Sequence, residues 1–172
     1  GVSSGHLASL NMGRREEDRP ENLVENKRRV GAAFGIDEKK ILTVSQIHSD
    51  RIVIIDNPDI TPEEIKMHEA DGIITDVKGI AIGILTADCV PVLLFDRKKK
   101  VVAAVHAGWK GTASKISAKA VEMMYERYGS RPQDIAAAIG PAIGPCCYEV
   151  GEEVVSAFGH QKGVAVQHGK NW

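Results

Sequence analysis

The sequence predicts an α+β fold, a layered sandwich in which helices pack on a mixed β-sheet. Two observations predict it. Continuous apolar, β-branched runs at 80–85, 90–95, 101–105 and 135–139 imply strands buried on both faces, hence layers on either side of a sheet. These runs follow one another closely with few helices between them, unlike an alternating βαβ chain, and that order favours a mixed sheet.

Residues 1–19 are rich in glycine, serine and arginine, carry no periodicity and read as loop. Helical character begins at Pro20 and continues to Phe34. Asp18 stands where a cap is needed, Pro20 suits the first turn, Leu23, Val30 and Phe34 recur at near-helical spacing, and Gly35 marks the stop. Glu21, Glu25, Lys27, Arg28 and Arg29 form the solvated face. Two β-branched runs, 41–47 and 51–55, flank a tight turn at His48, Ser49 and Asp50. An irregular polar connection then spans 58–69, followed by a short strand at 71–75 and a turn at 76–79. The strands at 80–85 and 90–95 bound Thr86, Ala87, Asp88 and Cys89, and a charged hairpin turn at 96–100 leads into 101–105. Helical spacing is strongest over 112–128, with Ile116, Ala120, Met123 and Met124 on one face and Gly129 at the stop. A glycine- and proline-rich loop at 140–145 and a short helix at 150–158 complete the pattern.

A chain of 172 residues is long enough to bury a real core as one domain. Its net charge of −1 offers no electrostatic footing for nucleic acid or an anionic membrane surface. No apolar run approaches the roughly 18 residues of a membrane span. Three cysteines, two of them adjacent, read as reduced thiols and point to a cytoplasmic protein. The chain opens on Gly1 and stops at Trp172 without a terminating pattern, as expected of part of a longer protein.

His48, Cys89 and His106 each stand at the end of a strand-like run. Two imidazoles and a thiolate suit Zn²⁺, and three protein ligands leave the fourth tetrahedral position open, as catalytic zinc requires. Their spacing matches no zinc-finger pattern, so each residue also has a private explanation: a turn histidine, a small buried hydrophobe, a hydrogen-bonded strand end. A metal-free arrangement uses the same atoms, with Cys89 as nucleophile, His106 as its base and Asp88 or His48 as orienter. Asp88 is also placed to fix the tautomer of a ligand histidine, or to serve only as a turn carboxylate. After His106, the Gly-Trp-Lys-Gly-Thr turn (108–112) opens a helix. There Lys110, Gly111 and Thr112 can cradle an anion with backbone N–H groups and one full charge, or form a plain helix cap. Cys146 and Cys147 fit extra metal ligands, redox thiols or buried structural cysteines, the last being commonest for the residue type. His6, His68, His160 and His168 lie in polar contexts and receive no role.

Six segments extend the pattern: Ala-Ser-Leu-Asn-Met-Gly (8–13), Gln-Ile-His (46–48), Ala-Asp-Gly (70–72), Leu-Thr-Ala-Asp-Cys-Val-Pro (85–91), Val-His-Ala-Gly-Trp-Lys-Gly (105–111) and Ala-Ile-Gly-Pro-Ala-Ile-Gly-Pro-Cys-Cys-Tyr-Glu-Val (138–150). In this order they resemble the YfiH family, also called the multicopper polyphenol oxidase or laccase-domain family and, for some members, peptidoglycan editing factors. The resemblance implies a fold similar to the catalytic domain of cytotoxic necrotizing factors, once classed with cysteine hydrolases. It implies a zinc-dependent purine nucleoside phosphorylase that cleaves adenosine, inosine or methylthioadenosine with phosphate to ribose 1-phosphate and free base, with adenosine deamination as a further activity. It assigns the metal ligands to His48, Cys89 and His106. Copper fits less well, because a laccase needs a histidine-rich trinuclear cluster that six scattered histidines do not supply. Hydrolysis of a peptidoglycan precursor through Cys89 and His106, and a non-enzymatic structural zinc domain, are the other readings. Members of the family continue into a segment with a Cys-Thr pair and an arginine-containing stretch, so residues 1–172 are expected to form a single YfiH-type domain short of that segment.

Overall fold

The computed structural model describes residues 1–13, 18–159 and 163. A mixed five-stranded sheet organises them. Its strands, in spatial order, are β2 (Ile52–Ile55), β3 (Gly72–Thr75), β6 (Val101–Ala107), β5 (Val90–Asp96) and β7 (Ile135–Ile139). β2 and β3 pair in parallel, while β3–β6, β6–β5 and β5–β7 are antiparallel. A separate parallel pair joins β1 (Ile41–Thr43) to β4 (Ala81–Gly83). The mixed sheet expected from strand spacing is therefore present.

Two apolar clusters flank the large sheet. On one face Ile74, Leu94, Ala103 and Val105 pack against Ile116, Ala120 and Met124 of helix α4 (Ile116–Tyr128). On the other, Ile73 and Ile55 pack with Leu42, Val44, Ile65 and Ala70 around the small sheet and the short helix α2 (Pro62–Ile65). Ile73 and Ile74 divide between the two because successive strand side chains point to opposite faces.

Several expectations require correction. The runs at 41–47 and 51–55 supply β1 and β2, but β1 ends at Thr43 and the two strands join different sheets. The connection at 58–69 holds α2, closed by a capping box in which Thr61 and Glu64 exchange hydrogen bonds. Burial on both faces holds for β3 and most of β6, but β5 alternates, with Leu94 5% and Leu93 51% exposed. The helix predicted over 112–128 is two helices, α3 (Trp109–Ala113) and α4, broken where Lys115 takes φ +59°. Helix α1 (Pro20–Phe34) ends at Gly35 as expected, yet Phe34 faces solvent and the buried positions are Asn26 and Gly31. Asp18 does not cap the helix interior. Its carboxylate accepts from Arg19 N–H, Asn22, Asn11 and Ser3, and so ties the N-terminal segment to α1. The short helix near 150–158 is α5 (Glu152–Ala157). Residues 14–17 of the expected N-terminal loop, together with His160 and His168, lie outside the described residues.

Candidate metal centre

β2, β3 and β5 begin, and β6 and β7 end, at the same edge of the large sheet. The residues with ligand chemistry collect there. His106 is the penultimate residue of β6, inside the strand rather than at its tip, and is 3% exposed. Pro91 is its register partner on β5, and continuing that register by two residues sets Cys89 across from Gly108. His48 arrives from the turn before β2. The ligand atoms of His48, Cys89 and His106 all lie within 4.8 Å of one another. The two imidazoles meet edge-on, with centroids 4.8 Å apart and planes at 80°. His48 is exposed, Cys89 half-buried and His106 buried, so the cluster opens on the His48 side.

One carboxylate organises two of the three. His106 Nδ1 lies 2.7 Å from Asp71 Oδ1, and the His106 N–H donates to the Asp71 carbonyl at 2.7 Å. Burial pushes the Asp71 carboxyl up, but hydrogen bonds from His106, Ser49 and the His48 amide outweigh it and leave the group below its usual range. An ionised carboxylate only accepts, so the proton sits on Nδ1 and Nε2 keeps its lone pair for a ligand. The same carboxylate accepts from the backbone N–H groups of His48 (3.0 Å) and Ser49 (2.6 Å) and from the Ser49 hydroxyl (2.7 Å). These bonds hold the turn in which His48 takes φ +58°, an uncommon conformation for a residue other than glycine.

Gln46 registers the His48 segment against the Cys89 segment. Its side-chain amide donates to the Leu85 carbonyl and accepts the Leu85 N–H, both at 2.7 Å, and so imitates a strand partner just beyond the β1–β4 pair. Gly108 supplies the space. A Cβ there would stand 3.2 Å from His48 Cδ2, 3.3 Å from Cys89 Sγ and 3.7 Å from His106 Cε1, inside the cluster. Gly111 serves packing instead, since a Cβ would meet the Ser49 carbonyl at 3.0 Å.

Asp71 and Gln46 were given no role in the sequence, and Gly108 was read only as part of the turn after His106, although all three lie within the segments that carry the resemblance. The tautomer-fixing partner expected of Asp88 is Asp71. Asp88 is exposed, and its carbonyl accepts the Ile143 N–H at 2.9 Å. Helix α3 starts at Trp109, earlier than expected, which leaves Thr112 inside it. The Thr112 N–H donates to Gly108 O and its hydroxyl to Ala107 O, so both donors are already committed and the anion cradle loses this member. Gly111 is buried, while Lys110 is exposed with Nζ 5.4 Å from the Trp109 ring centroid. Burial, reinforced by the charges of Asp88 and Asp71, pushes the Cys89 thiol up. That shift opposes a free thiolate nucleophile, whereas a coordinated cation removes the thiol proton outright. Cys146 and Cys147 are exposed rather than buried, and neither belongs to the group around Cys89.

The model of the multi-copper polyphenol oxidoreductase laccase family matches residues 1–171. The chain belongs to this family. A purine nucleoside phosphorylase of Deinococcus radiodurans is 39% identical over 158 residues, covering 92% of this chain and 59% of the relative. Adenosine deaminase RL5, from an unknown prokaryotic organism, is 42% identical over 129 residues, covering 73% of this chain and 49% of the relative. Among solved structures, the Bacillus licheniformis hypothetical protein YfiH superposes with a TM-score of 0.85 at 34% identity, covering 97% of this chain and 63% of that one. The chain thus spans about three fifths or less of the length of these family members. The YfiH resemblance of the sequence segments is borne out. No helix among the described residues is long and apolar enough to cross a membrane.

Proposed function

We propose that His48, Cys89 and His106 hold one catalytic Zn²⁺ in an enzyme that cleaves purine nucleosides, adenosine, inosine or methylthioadenosine, with phosphate. The observation that carries this reading is the composition of the cluster. Two imidazoles and one thiol converge, and no fourth His, Cys, Asp or Glu joins them among the described residues. A structural zinc site is closed by four protein ligands, whereas a catalytic one keeps a position for substrate or water. The donor set fits the ion: Asp71 leaves Nε2 of His106 unprotonated, and Gly108 leaves the space between the ligands clear. Copper would accept the same donors, but the described residues hold this one cluster and nothing resembling a second, histidine-rich one.

When bound, the ion supplies Lewis acidity and a template for an oxygen of phosphate, ribose or water. The chain's own residues do the rest. Asp71 holds the His106 ring and the His48 turn, so the ligands need little reorganisation. Lys110, one turn past His106 and exposed, offers a positive charge to the phosphate. Asp88, exposed beside Cys89, is the carboxylate placed to move a proton toward the leaving base or away from an attacking water. Water in place of phosphate, directed at the purine ring, gives deamination. The relative named adenosine deaminase supports this as a second activity of the same site. The family's likeness to cytotoxic necrotizing factor catalytic domains and a cytoplasmic location belong to the same proposal.

The test is inosine with phosphate, followed by hypoxanthine release, on a chain that includes the length its relatives have. Release that stops with a chelator, returns with Zn²⁺ and is absent in Cys89→Ala is the expected result. Release indifferent to both treatments overturns the proposal.

A further inference from the structure

Cys146 and Cys147 form a second convergence of soft donors, outside the cluster around Cys89. They occupy a turn after Pro145 in which the Cys147 N–H donates to the Gly144 carbonyl at 3.0 Å. Side chains of adjacent residues ordinarily point apart. Here the two Sγ atoms approach to 3.4 Å, and both residues are exposed. With metal–sulfur bonds of about 2.3 Å, one ion spans that gap at an S–metal–S angle of roughly 95°. The turn therefore presents a bidentate chelate already folded. Its loop is fastened near the first centre by the Ile143 N–H on the Asp88 carbonyl.

We propose that Cys146 and Cys147 form a two-thiolate site for a thiophilic divalent cation of the Zn²⁺ class, distinct from the His48–Cys89–His106 cluster. On binding, each thiol gives one proton to solvent, two metal–sulfur bonds form, and the ion loses two waters. No oxidation state changes. Two protein ligands leave half of a tetrahedral shell to solvent or an external thiol, so an ion held there exchanges readily, as suits acquisition rather than structure.

Cadmium is the probe, because its thiolate charge-transfer absorbance scales with the number of thiolates bound. Saturated with Cd²⁺, the native chain is expected to show the signal of three thiolates, Cys89→Ala that of two, and the Cys146→Ser, Cys147→Ser double variant that of one. Each single variant, Cys146→Ser or Cys147→Ser, loses the chelate and is expected to bind at this site at least about a hundredfold more weakly. A double variant indistinguishable from native overturns the proposal, as do single variants that bind with native affinity. If Cys89→Ala matches native while the double variant loses two thiolates, this site stands and the metal centre at Cys89 falls.

Discussion

His48 and His106 depend on the same carboxylate, and that shared dependence is open to test. Replacing Asp71 by Asn removes the fixed negative charge, the preference for the Nδ1–H tautomer of His106, and acceptors for the His48 turn. Loss of such a partner lowers metal affinity about 10–100-fold. Chelator competition on folded Asp71→Asn is expected to report that drop. Ser49→Ala, which removes one bond to the same carboxylate and leaves His106 untouched, should change affinity about twofold or less. Equal losses in the two variants would mean that Asp71 acts only through the turn. Gly108→Ala makes a separate claim, because its methyl group enters the cluster at 3.2–3.3 Å from His48 and Cys89. Metal affinity should fall while the thermal midpoint stays close to native. Unchanged affinity would show that the cluster opens in some other direction. His48, Cys89 and His106 were singled out in the sequence by residue type and by the resemblance of their segments, and the structure brings their ligand atoms within 4.8 Å of one another. Asp71 was not singled out, since an acidic residue before glycine at the start of a strand reads as an ordinary turn. Asp88 drew attention by adjacency to Cys89, and adjacency in sequence says little about which carboxylate reaches a ring across the sheet.

Among the elements, α1 and the N-terminal segment are joined by a polar anchor. Hydrogen bonds from Asn22, Asn11 and Ser3 hold the Asp18 carboxyl down from 3.8 to about 2. A depressed folded-state value means that Asp18 stabilises the fold above its unfolded value, and that this contribution is lost as pH falls from about 4 through about 2. Thermal midpoints of native and Asp18→Asn chains should therefore differ at pH 7 and converge near pH 2; a difference that persists at pH 2 would contradict the anchor. The helix at 20–34 was readable from its proline start and glycine stop. Its buried face was not, because Asn26 is held by hydrogen bonds to Val2, Ser3 and Asn11, a pattern that hydrophobic periodicity does not register. The break between α3 and α4 escaped for a related reason. Lys115 at positive φ carries no glycine to mark it, and the apolar spacing continues across the break.

Across the whole molecule, both faces of the large sheet are covered only in part, and on the α4 side Ile139 of β7 is 73% exposed. Leu94 packs under α4, whereas its neighbour Leu93 is 51% exposed, beside Phe95 on the same strand. Leu94→Ala should cost about 2–4 kcal/mol and Leu93→Ala less than about 1 kcal/mol, read from denaturant midpoints. Comparable losses would mean that Leu93 is also covered in solution. Sequence reading overstated this burial because an apolar run looks the same whether one or both of its faces are covered. The layered mixed sheet brings His48, Cys89 and His106 to a single edge, and the central claim is that one ion sits among them with a position to spare. X-ray absorption at the zinc edge, on the Cys146→Ser, Cys147→Ser chain given one equivalent of Zn²⁺, tests that claim most directly. The account predicts one sulfur at about 2.3 Å with nitrogen and oxygen neighbours at about 2.0–2.1 Å completing the shell, at least one of them from solvent. A shell with two or more sulfurs, or with none, would contradict it.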